Sequence, residues 1–353
     1  PEYLLREFAN FLSQSKWIVA RQQDTRLQAK FSRILRRDAV LFVEAAAPEP
    51  GSLRNALKAE FEDDAYVKFF GEEPSPTVEL SVVVPTKDVG GAQITELLAS
   101  LTNVPLTTEI FVVDDGSTDD TLAAVDAFRG SRDDVYLLRE TASRGAGRAR
   151  NRASPLLEGT YVVYIDADDQ VDPQALAAAV HSLRADSDAD LLFFPYAIEQ
   201  SATPSGMWDS DQAAFARGVG AATPELRKAA ALELTNYPWN RVARTDVLRG
   251  VQFGATRVHN DVRFHWTSIA SARDVAFLDV DSKPAVIHRK GARQTLTDLS
   301  SSARLEVFAA LAETRDSLGN AFLATNGPAF DRFARDLVVW AAPKIPLENK
   351  AEA

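Results

Sequence analysis

The sequence contains no cysteine, only four histidines and one methionine, Met207. Without cysteine, disulfide bonds and thiolate metal sites are excluded, so any metal ion must be held by carboxylates, imidazole or water. No apolar run approaches the roughly 18 residues that a membrane-spanning helix needs. These absences predict a globular protein of the reducing cytoplasm, with the inner face of the membrane as the alternative location.

Basic residues are outnumbered, with 39 Lys and Arg against 50 Asp and Glu, for a net charge of −11. Because a general nucleic-acid binder neutralises phosphates with a basic surface, this balance disfavours a nucleic-acid partner. The apolar fraction of 46% is ample for a full core. The chain begins at Pro1 rather than methionine, so we expect a piece of a longer protein and leave open an anchor or further domain outside it.

Three regions can be distinguished along the chain. Residues 1–77 are predicted to form a helical accessory region, which serves either oligomerisation or acceptor docking, and a proline-containing stretch at 74–76 ends it. Residues 78–295 alternate short apolar runs with helical patterns, and residues 296–353 contain amphipathic helical patterns at 305–318 and 329–342. The sequence therefore predicts an α/β fold: a mostly parallel sheet flanked by helices, with an N-terminal helical region and C-terminal helices.

The strongest local pattern is an acidic cluster after an apolar run. The predicted strand Tyr161–Ile165 is followed directly by Asp166, Asp168 and Asp169. Clustered carboxylates are costly unless a cation neutralises them, and oxygen ligands suit Mg²⁺ or Mn²⁺. The alternative is a solvated acidic turn, but the buried strand before it favours a metal site.

Two further segments follow predicted strands. Asp114 and Asp115 end a strand before Gly116, where a carboxylate can accept hydrogen bonds from a nucleobase N–H or a ribose hydroxyl. Helix capping is the alternative, although it does not explain the paired carboxylates. The arginine-rich and glycine-containing segment 144–152 begins a predicted helix and suits an anionic pyrophosphate.

Taken together and in this order, these segments resemble the family 2 glycosyltransferases, which have the GT-A fold. The resemblance covers about residues 80–290 and rests on Val82-Val83-Val84-Pro85-Thr86, Val113-Asp114-Asp115-Gly116-Ser117-Thr118-Asp119, Ala149-Arg150-Asn151 and Ile165-Asp166-Ala167-Asp168-Asp169. It implies that Asp166 and Asp168 form the family's DXD motif, with Asp168 as the direct metal contact. The donor nucleotide would be bound by Pro85, Thr86, Asp115, Arg150 and Asp166.

Two later segments extend the resemblance. The first, residues 237–244, is similar to the family's tryptophan-containing segment and implies that Trp239, Asn240 and Arg241 line the acceptor side. The second, His259–Phe264, matches the family's Glu-Asp-x-x-Phe and implies that Asp261 is the catalytic base, although Asn260 replaces the usual glutamate. A carboxylate at a helix N-terminus, favoured by the macrodipole, is the structural alternative for Asp261.

His288 is the histidine that lies in the segment expected to return toward the diphosphate. In a chain without cysteine, imidazole supplies the nitrogen ligand that could complete a carboxylate site, so we predict His288 as a metal ligand. Packing against the sheet edge is one alternative. A basic lid that includes Arg289, Lys290 and Arg293 is the other.

The resemblance implies an inverting enzyme of the hexosyl- or N-acetylhexosaminyl-transferase class that uses Mn²⁺ or Mg²⁺. The expected donor is a UDP-sugar, and the acceptor is a carbohydrate, polyol phosphate, lipid or protein, as in cell-wall or polysaccharide biosynthesis. Two alternatives stay open: a nucleotidyltransferase of related fold, in which Asp261 lacks a role, and a non-catalytic nucleotide-sugar-binding module. A dehydrogenase is disfavoured because Arg150 stands where the dinucleotide fingerprint needs its third glycine.

Overall fold

The computed structural model describes residues 78–130, 132–140, 142–200, 203–290 and 302–345. The helical accessory region predicted for residues 1–77 lies outside the described residues. The strands are β1 (Leu80–Thr86), β2 (Thr108–Asp114), β3 (Val135–Arg139), β4 (Tyr161–Tyr164), β5 (Gln170–Val171), β6 (Leu191–Phe193), β7 (Tyr196–Gln200), β8 (Thr203–Ser205), β9 (Arg241–Arg244), β10 (Val275–Phe277) and β11 (Val286–Lys290). The α-helices are α1 (Gly91–Leu101), α2 (Thr121–Arg129), α3 (Ala146–Ala153), α4 (Pro173–Ala185), α5 (Asp209–Val219), α6 (Pro224–Leu232), α7 (Asn260–Ser271), α8 (Glu306–Ser317) and α9 (Asn320–Ala341).

Seven strands form the main sheet, in the order β10-β6-β9-β4-β1-β2-β3. Neighbouring strands are parallel except at β9, which runs antiparallel to both β4 and β6. This is the mostly parallel, helix-flanked sheet that the strand–helix alternation predicts, so the predicted fold class is confirmed for the described residues.

The central strands are apolar along their whole length because both faces of the sheet are covered. All seven residues of β1 are buried, and Val82 and Val84 join the core with Ile110, Val112 and Val163. The sequences of such strands are continuously apolar and do not alternate between apolar and polar residues, because neither face of a parallel sheet is exposed to solvent. The observed register of β1 with β2 and β4 places the residues that follow each strand.

Strands β1, β2 and β4 end at the same edge of the sheet. Thr86 pairs with Asp114 across β1 and β2, and the Asp115 N–H donates to the Thr86 carbonyl at 2.9 Å. On the other side of β1, Tyr164 pairs with Val83, so the chain leaves β4 beside the end of β1. The polar residues that follow β2 and β4 are therefore brought together. They lie beyond the carboxyl ends of the strands, where open α/β sheets bind their ligands.

A second, four-stranded sheet has the order β5-β11-β7-β8. Strand β11 is parallel to β7 and antiparallel to the short β5, with Ile287 opposite Gln170. Because Asp169 precedes Gln170 and His288 follows Ile287, this pairing places the two side chains next to each other. The sheet thus returns a distant part of the chain to the end of β4.

The C-terminal helices pack on α7. The side chain of Trp266 in α7 meets Phe330 of α9 edge to face, with ring centroids 4.9 Å apart, and Val307 and Ala310 of α8 are buried. Helix α9 begins earlier than the predicted start at residue 329 and continues through Pro328, since this packing compensates for the missing N–H. No helix in the described part of the chain is long and apolar enough to cross a membrane.

Candidate functional site

Three carboxylates cluster where the chain leaves β4. One oxygen from each of Asp166, Asp168 and Asp169 lies within 4.8 Å of the others. Asp166 and Asp168 are partly exposed, whereas Asp169 is buried. The turn is held from the side by Gln93 of α1, whose amide donates to the Asp168 carbonyl at 3.1 Å. The acidic cluster predicted from sequence is therefore present as one group.

Burial and mutual repulsion make this cluster electrostatically unfavourable. Burial, and then the charge of Asp166, raise the pKa of Asp168 above its usual range. Burial raises the pKa of Asp169 to about 7, although His288 opposes the increase. The Oδ2 atom of Asp169 is buried without a hydrogen-bond partner among the described residues. Several oxygen ligands and an orphaned buried oxygen fit a divalent cation such as Mg²⁺ or Mn²⁺.

His288 contacts the cluster through Asp169. Its Nδ1 lies 2.7 Å from Asp169 Oδ1, and its ring stacks on Trp239 with centroids 5.1 Å apart. Burial lowers the pKa of His288, but the adjacent Asp169 carboxylate more than offsets this and raises it to about 9. The ring therefore supports Asp169 in this structure. A metal ligand must be unprotonated, and only Nε2 is left for that role, so ligation by His288 stays a prediction.

The structure describes only part of the segment after His288, for which a basic lid was the alternative prediction. The guanidinium of Arg289 is 3.0 Å from Glu96 and 3.3 Å from Glu199, while its backbone N–H lies 3.3 Å from Asp169 Oδ1. The side chain of Lys290 and all of Arg293 lie outside the described residues. Arg289 thus already has carboxylate partners on α1 and β7.

Arg150 of α3 connects the carboxylate cluster to another part of the chain. Its Nη2 donates to Asp166 Oδ1 at 2.5 Å, and its Nη1 donates to Asn260 Oδ1 at 3.3 Å. The guanidinium also lies over the Phe253 ring, 4.9 Å from the centroid. Arg150 is almost fully buried, which strengthens its charge-assisted contacts. The asparagine that departs from the family pattern is therefore a hydrogen-bond partner of the predicted nucleotide-binding arginine.

Asp261 lies in the first turn of α7, directly after Asn260. The residue is half-buried. Burial raises the pKa of Asp261 to about 6, Arg150 opposes this, and Asp166 adds to it. A carboxylate that is partly exposed and has a pKa near neutrality has the properties of a general base. The helix-dipole explanation accounts for its location but not for the raised pKa.

Close contact between α3 and α7 depends on Gly147. A Cβ atom there would lie 2.7 Å from the Asn260 Cβ and 2.8 Å from the Gly254 carbonyl oxygen. Both distances are shorter than real Cβ contacts, so a side chain would force the two helices apart. The glycine therefore explains why Arg150 and Asn260 can meet.

The carboxylate of Asp115 forms hydrogen bonds with other residues of the protein in this structure. It accepts hydrogen bonds from Ser143 Oγ at 2.6 Å and from the N–H groups of Arg144 at 2.7 Å and Gly145 at 2.9 Å. These bonds hold the loop that enters α3. Thr86 and Pro85 are buried beside it, and Thr86 Oγ1 has no partner among the described residues. The predicted nucleoside contacts of all three stay predictions.

The predicted acceptor-side residues lie beneath the site. Trp239, Asn240 and Arg241 are exposed by 1%, 0% and 1%, so none offers its side chain to an acceptor in this structure. Arg241 is held by the Tyr237 carbonyl at 2.7 Å and by His265 Nδ1 at 2.8 Å. Burial lowers the pKa of Arg241 to about 9. Of the three residues, Trp239 stacks on His288, and direct acceptor contact by any of them stays a prediction.

Sequence reasoning gave no separate role to two residues that the structure places in the site. Asp169 is counted with the acidic cluster, yet its bond to His288 appears only when β5 and β11 pair. Tyr237 stacks on Trp239 at 4.3 Å and its hydroxyl accepts from Trp208 Nε1 at 3.0 Å. Tyr237 is the first residue of the predicted tryptophan-containing segment, and this position was the available signal for it.

Residues 81–228 match the family model for Glycosyl transferase family 2. This segment contains the acidic cluster, Asp115 and Arg150, whereas Asp261 and His288 lie beyond it. The resemblance predicted from sequence is therefore confirmed over residues 81–228.

Named relatives are glycosyltransferases. The chain is 40% identical over 105 residues to the poly(ribitol-phosphate) beta-N-acetylglucosaminyltransferase TarS of Staphylococcus aureus, which covers 29% of this chain and 18% of TarS. It is 29% identical over 198 residues to the uncharacterized glycosyltransferase YibD of Escherichia coli, covering 54% of this chain and 56% of YibD. The chain thus spans less than two thirds of the length of these relatives.

The fold is similar to that of a solved glycosyltransferase structure. The structure of Staphylococcus aureus TarS residues 1–349 in complex with UDP-GlcNAc matches with a TM-score of 0.54 and 22% identity, over 67% of this chain and 66% of that chain. At this identity the similarity establishes the fold alone. The GT-A fold implied by the sequence motifs is accordingly confirmed.

We expect Asp168→Asn to abolish the Mn²⁺ dependence of UDP binding. The substitution removes a charge from the cluster, so a divalent cation loses a ligand that its hard-oxygen chemistry requires. Calorimetry of UDP binding with Mn²⁺ and after chelation measures the effect, with the exposed Asp209→Asn as the matched control. Equal UDP affinity of the unsubstituted protein with and without metal would contradict the assignment of this site.

Proposed function

We propose that this chain is an inverting glycosyltransferase that moves a sugar from a nucleoside-diphosphate donor to an acceptor hydroxyl, with Asp261 as the general base. One observation carries the proposal. The buried Arg150 hydrogen-bonds to Asp166 of the carboxylate cluster and to Asn260, the residue directly before the half-buried Asp261, whose pKa is raised. The carboxylate cluster can hold a cation that stabilises the leaving group, and the aspartate can accept a proton. Together they suit the transfer of a group to a hydroxyl.

The chemical step is a single displacement. Asp261 accepts the proton of the acceptor hydroxyl as that oxygen forms a bond to the anomeric carbon. The bond between the anomeric carbon and the diphosphate oxygen breaks, and the nucleoside diphosphate leaves with the bonding electrons. A divalent cation held by Asp166, Asp168 and Asp169 would offset the negative charge on the leaving diphosphate. One displacement inverts the configuration at the anomeric carbon.

The donor is proposed to be a UDP-linked hexose or N-acetylhexosamine. Support comes from the names of the relatives, among them TarS and the poly(ribitol-phosphate) beta-glucosyltransferase of Bacillus spizizenii, which is 32% identical over 103 residues. The solved structure with similar fold contains UDP-GlcNAc. A role in cell-wall polymer synthesis, a choice of Mn²⁺ or Mg²⁺, and a cytoplasmic location belong to the same proposal.

An anionic acceptor such as a polyol phosphate is supported by a rim of exposed arginines. Arg144 and Arg148 flank the entrance of α3, and a Cβ atom at Gly145 would lie 3.5 Å from the Arg257 Cα, so the three residues border the same rim. Within the described part of the chain, none of these three arginines forms an ion pair. In a protein with a net charge of −11, this local excess of positive charge would attract phosphodiester groups near the base.

Asp261→Asn is expected to lower the rate of transfer by about 10²–10⁴-fold while UDP affinity changes little, because asparagine keeps the shape but cannot accept the proton. The rate of UDP-GlcNAc hydrolysis, with water as acceptor, and calorimetry of UDP binding measure the two effects. Asp316→Asn, an exposed substitution on α8, is the control. A variant with a wild-type rate would require another base.

The pH dependence of kcat/KM is expected to report the raised pKa of Asp261. The base must be ionised, so the rate should fall about tenfold per pH unit below a pKa of about 6 and reach a plateau above it. Arg150, Asp166, Tyr237 and Arg241 are the charged or titratable groups that interact with Asp261. An acid limb at the ordinary aspartate value near 4 would contradict the assignment.

Combined Arg148→Gln and Arg257→Gln substitutions are expected to raise the KM for an oligo(ribitol phosphate) acceptor by about 2–10-fold, since exposed charge pairs contribute little each and are screened by salt. The KM for UDP-GlcNAc should stay unchanged. Arg249→Gln, an exposed arginine after β9, is the matched control. An acceptor KM that does not respond to these charges or to salt would rule out an electrostatic rim.

A further inference from the structure

The C-terminal helices contact the loop that leads to Asp261. We use the name base loop for residues 254–259, which connect Phe253 to α7. Glu313 of α8 accepts a hydrogen bond from the Ala255 N–H at 3.0 Å, and Glu306 accepts from the Arg257 N–H at 2.5 Å and the Val258 N–H at 3.4 Å. These bonds span about 50 residues of sequence and connect two different elements.

The last residue of the base loop has an unfavourable backbone conformation. His259 has φ 61° and ψ 19°, a left-handed conformation that residues other than glycine rarely adopt. Its ring meets Trp340 of α9 edge to face with centroids 6.0 Å apart. Because His259 lies only two residues before Asp261, the contacts that keep it in this conformation also define where the α7 N-terminus begins.

Hydrogen bonds from the sheet domain hold the residues at the two ends of the base loop, and Gly145 packs against the backbone of Arg257 in its middle. Asn151 exchanges two hydrogen bonds with the backbone of Phe253, at 2.8 and 3.0 Å, just before the loop. Asn260, just after it, is held by Arg150. The middle of the loop, by contrast, directs its N–H groups at Ala255, Arg257 and Val258 toward the two glutamates of α8.

Helix α8 is firmly anchored on α7, so its glutamates are fixed acceptors. Val307 and Thr314 are fully buried, and Glu313 also forms an ion pair with Arg263 of α7 at 2.7 Å. Glu306 is the first residue of α8, where a carboxylate also favours its own helix dipole. The interaction with the helix dipole would be the same without any bond to the base loop. The hydrogen bonds to Arg257 and Val258 are therefore an additional feature of Glu306.

We propose that Glu306 and Glu313 are positioning residues that fix the base loop and thereby the orientation of Asp261. The C-terminal helices would then be part of the catalytic unit rather than an appended region. This inference rests on the proposed role of Asp261 as the base. A base displaced by about 1 Å from the acceptor hydroxyl loses much of its effect, whereas the carboxylate cluster proposed to hold the donor's metal ion lies at the end of β4 and not on this loop.

The test compares the loss of both carboxylates, by substitution with alanine, with the Glu306→Gln substitution, which keeps a hydrogen-bond acceptor. Combined Glu306→Ala and Glu313→Ala substitutions should lower kcat for UDP-GlcNAc hydrolysis by about 10–100-fold, while UDP affinity in the presence of Mn²⁺ stays within about twofold. Glu306→Gln should recover most of the loss at that position, since the amide oxygen still accepts from Arg257 and Val258. Asp331→Ala is the control, because it removes the Arg315–Asp331 ion pair, which joins α8 to α9 away from the base loop.

Amide hydrogen exchange provides a readout that does not depend on activity. Exchange at Arg257 and Val258 should accelerate in Glu306→Ala but not in Asp331→Ala. If the double variant does not fold, the single Glu306→Ala substitution carries the test, since this side chain is half-exposed.

The outcomes separate this inference from the proposed function. Wild-type kcat and unchanged exchange in the glutamate variants, alongside an inactive Asp261→Asn, would overturn the positioning role and leave the base in place. An active Asp261→Asn would instead overturn the proposed function. A parallel loss of UDP affinity in the glutamate variants would also contradict the inference, because it would show a general structural effect.

Discussion

The arrangement of the site depends on one buried cation. Arg150 binds Asp166 at the end of β4 and Asn260 at the start of α7, and so joins the carboxylate cluster to the element that carries Asp261. Its guanidinium is nearly fully removed from water, and these charge-assisted contacts offset part of the cost of burying its charge, although its Nε has no hydrogen-bond partner among the described residues. The close approach that these contacts require is possible because Gly147, one turn earlier in α3, has no side chain.

The carboxylate cluster has its own support from the second sheet. The antiparallel pairing of β5 and β11 brings His288 to Asp169, and the stack on Trp239 fixes the ring. A positively charged imidazole beside a buried carboxylate lowers the electrostatic cost of the cluster before any cation binds. The tryptophan segment therefore contributes to the site from beneath, through the orientation of His288, rather than through an exposed surface of its own.

Asp261 has different surroundings from the cluster, and this difference suits a different role. It is half-buried, it forms no ion pair with the residues that the structure describes, and its pKa is raised to about 6, so it can exchange a proton near neutral pH. Asp166, in contrast, is bound to Arg150. The backbone before Asp261 is held in a strained conformation by contacts from α8 and α9, which connects a region without catalytic motifs to the base.

The sequence alone determined the fold class, the acidic cluster and the candidate base, because each depends on a local pattern: an apolar run of strand length, carboxylates that follow it directly, or a short segment of characteristic spacing. It did not determine which side chains would face a ligand. Asp115 proved to hold the α3 loop, Trp239 proved to be buried, and the glutamates of α8 carried no recognisable pattern. Such contacts join residues about 30 to 120 positions apart, as between Asp169 and His288. Only the pairing of strands and the packing of helices bring these residues together, since the free energy of those contacts arises in the folded core rather than in any local segment.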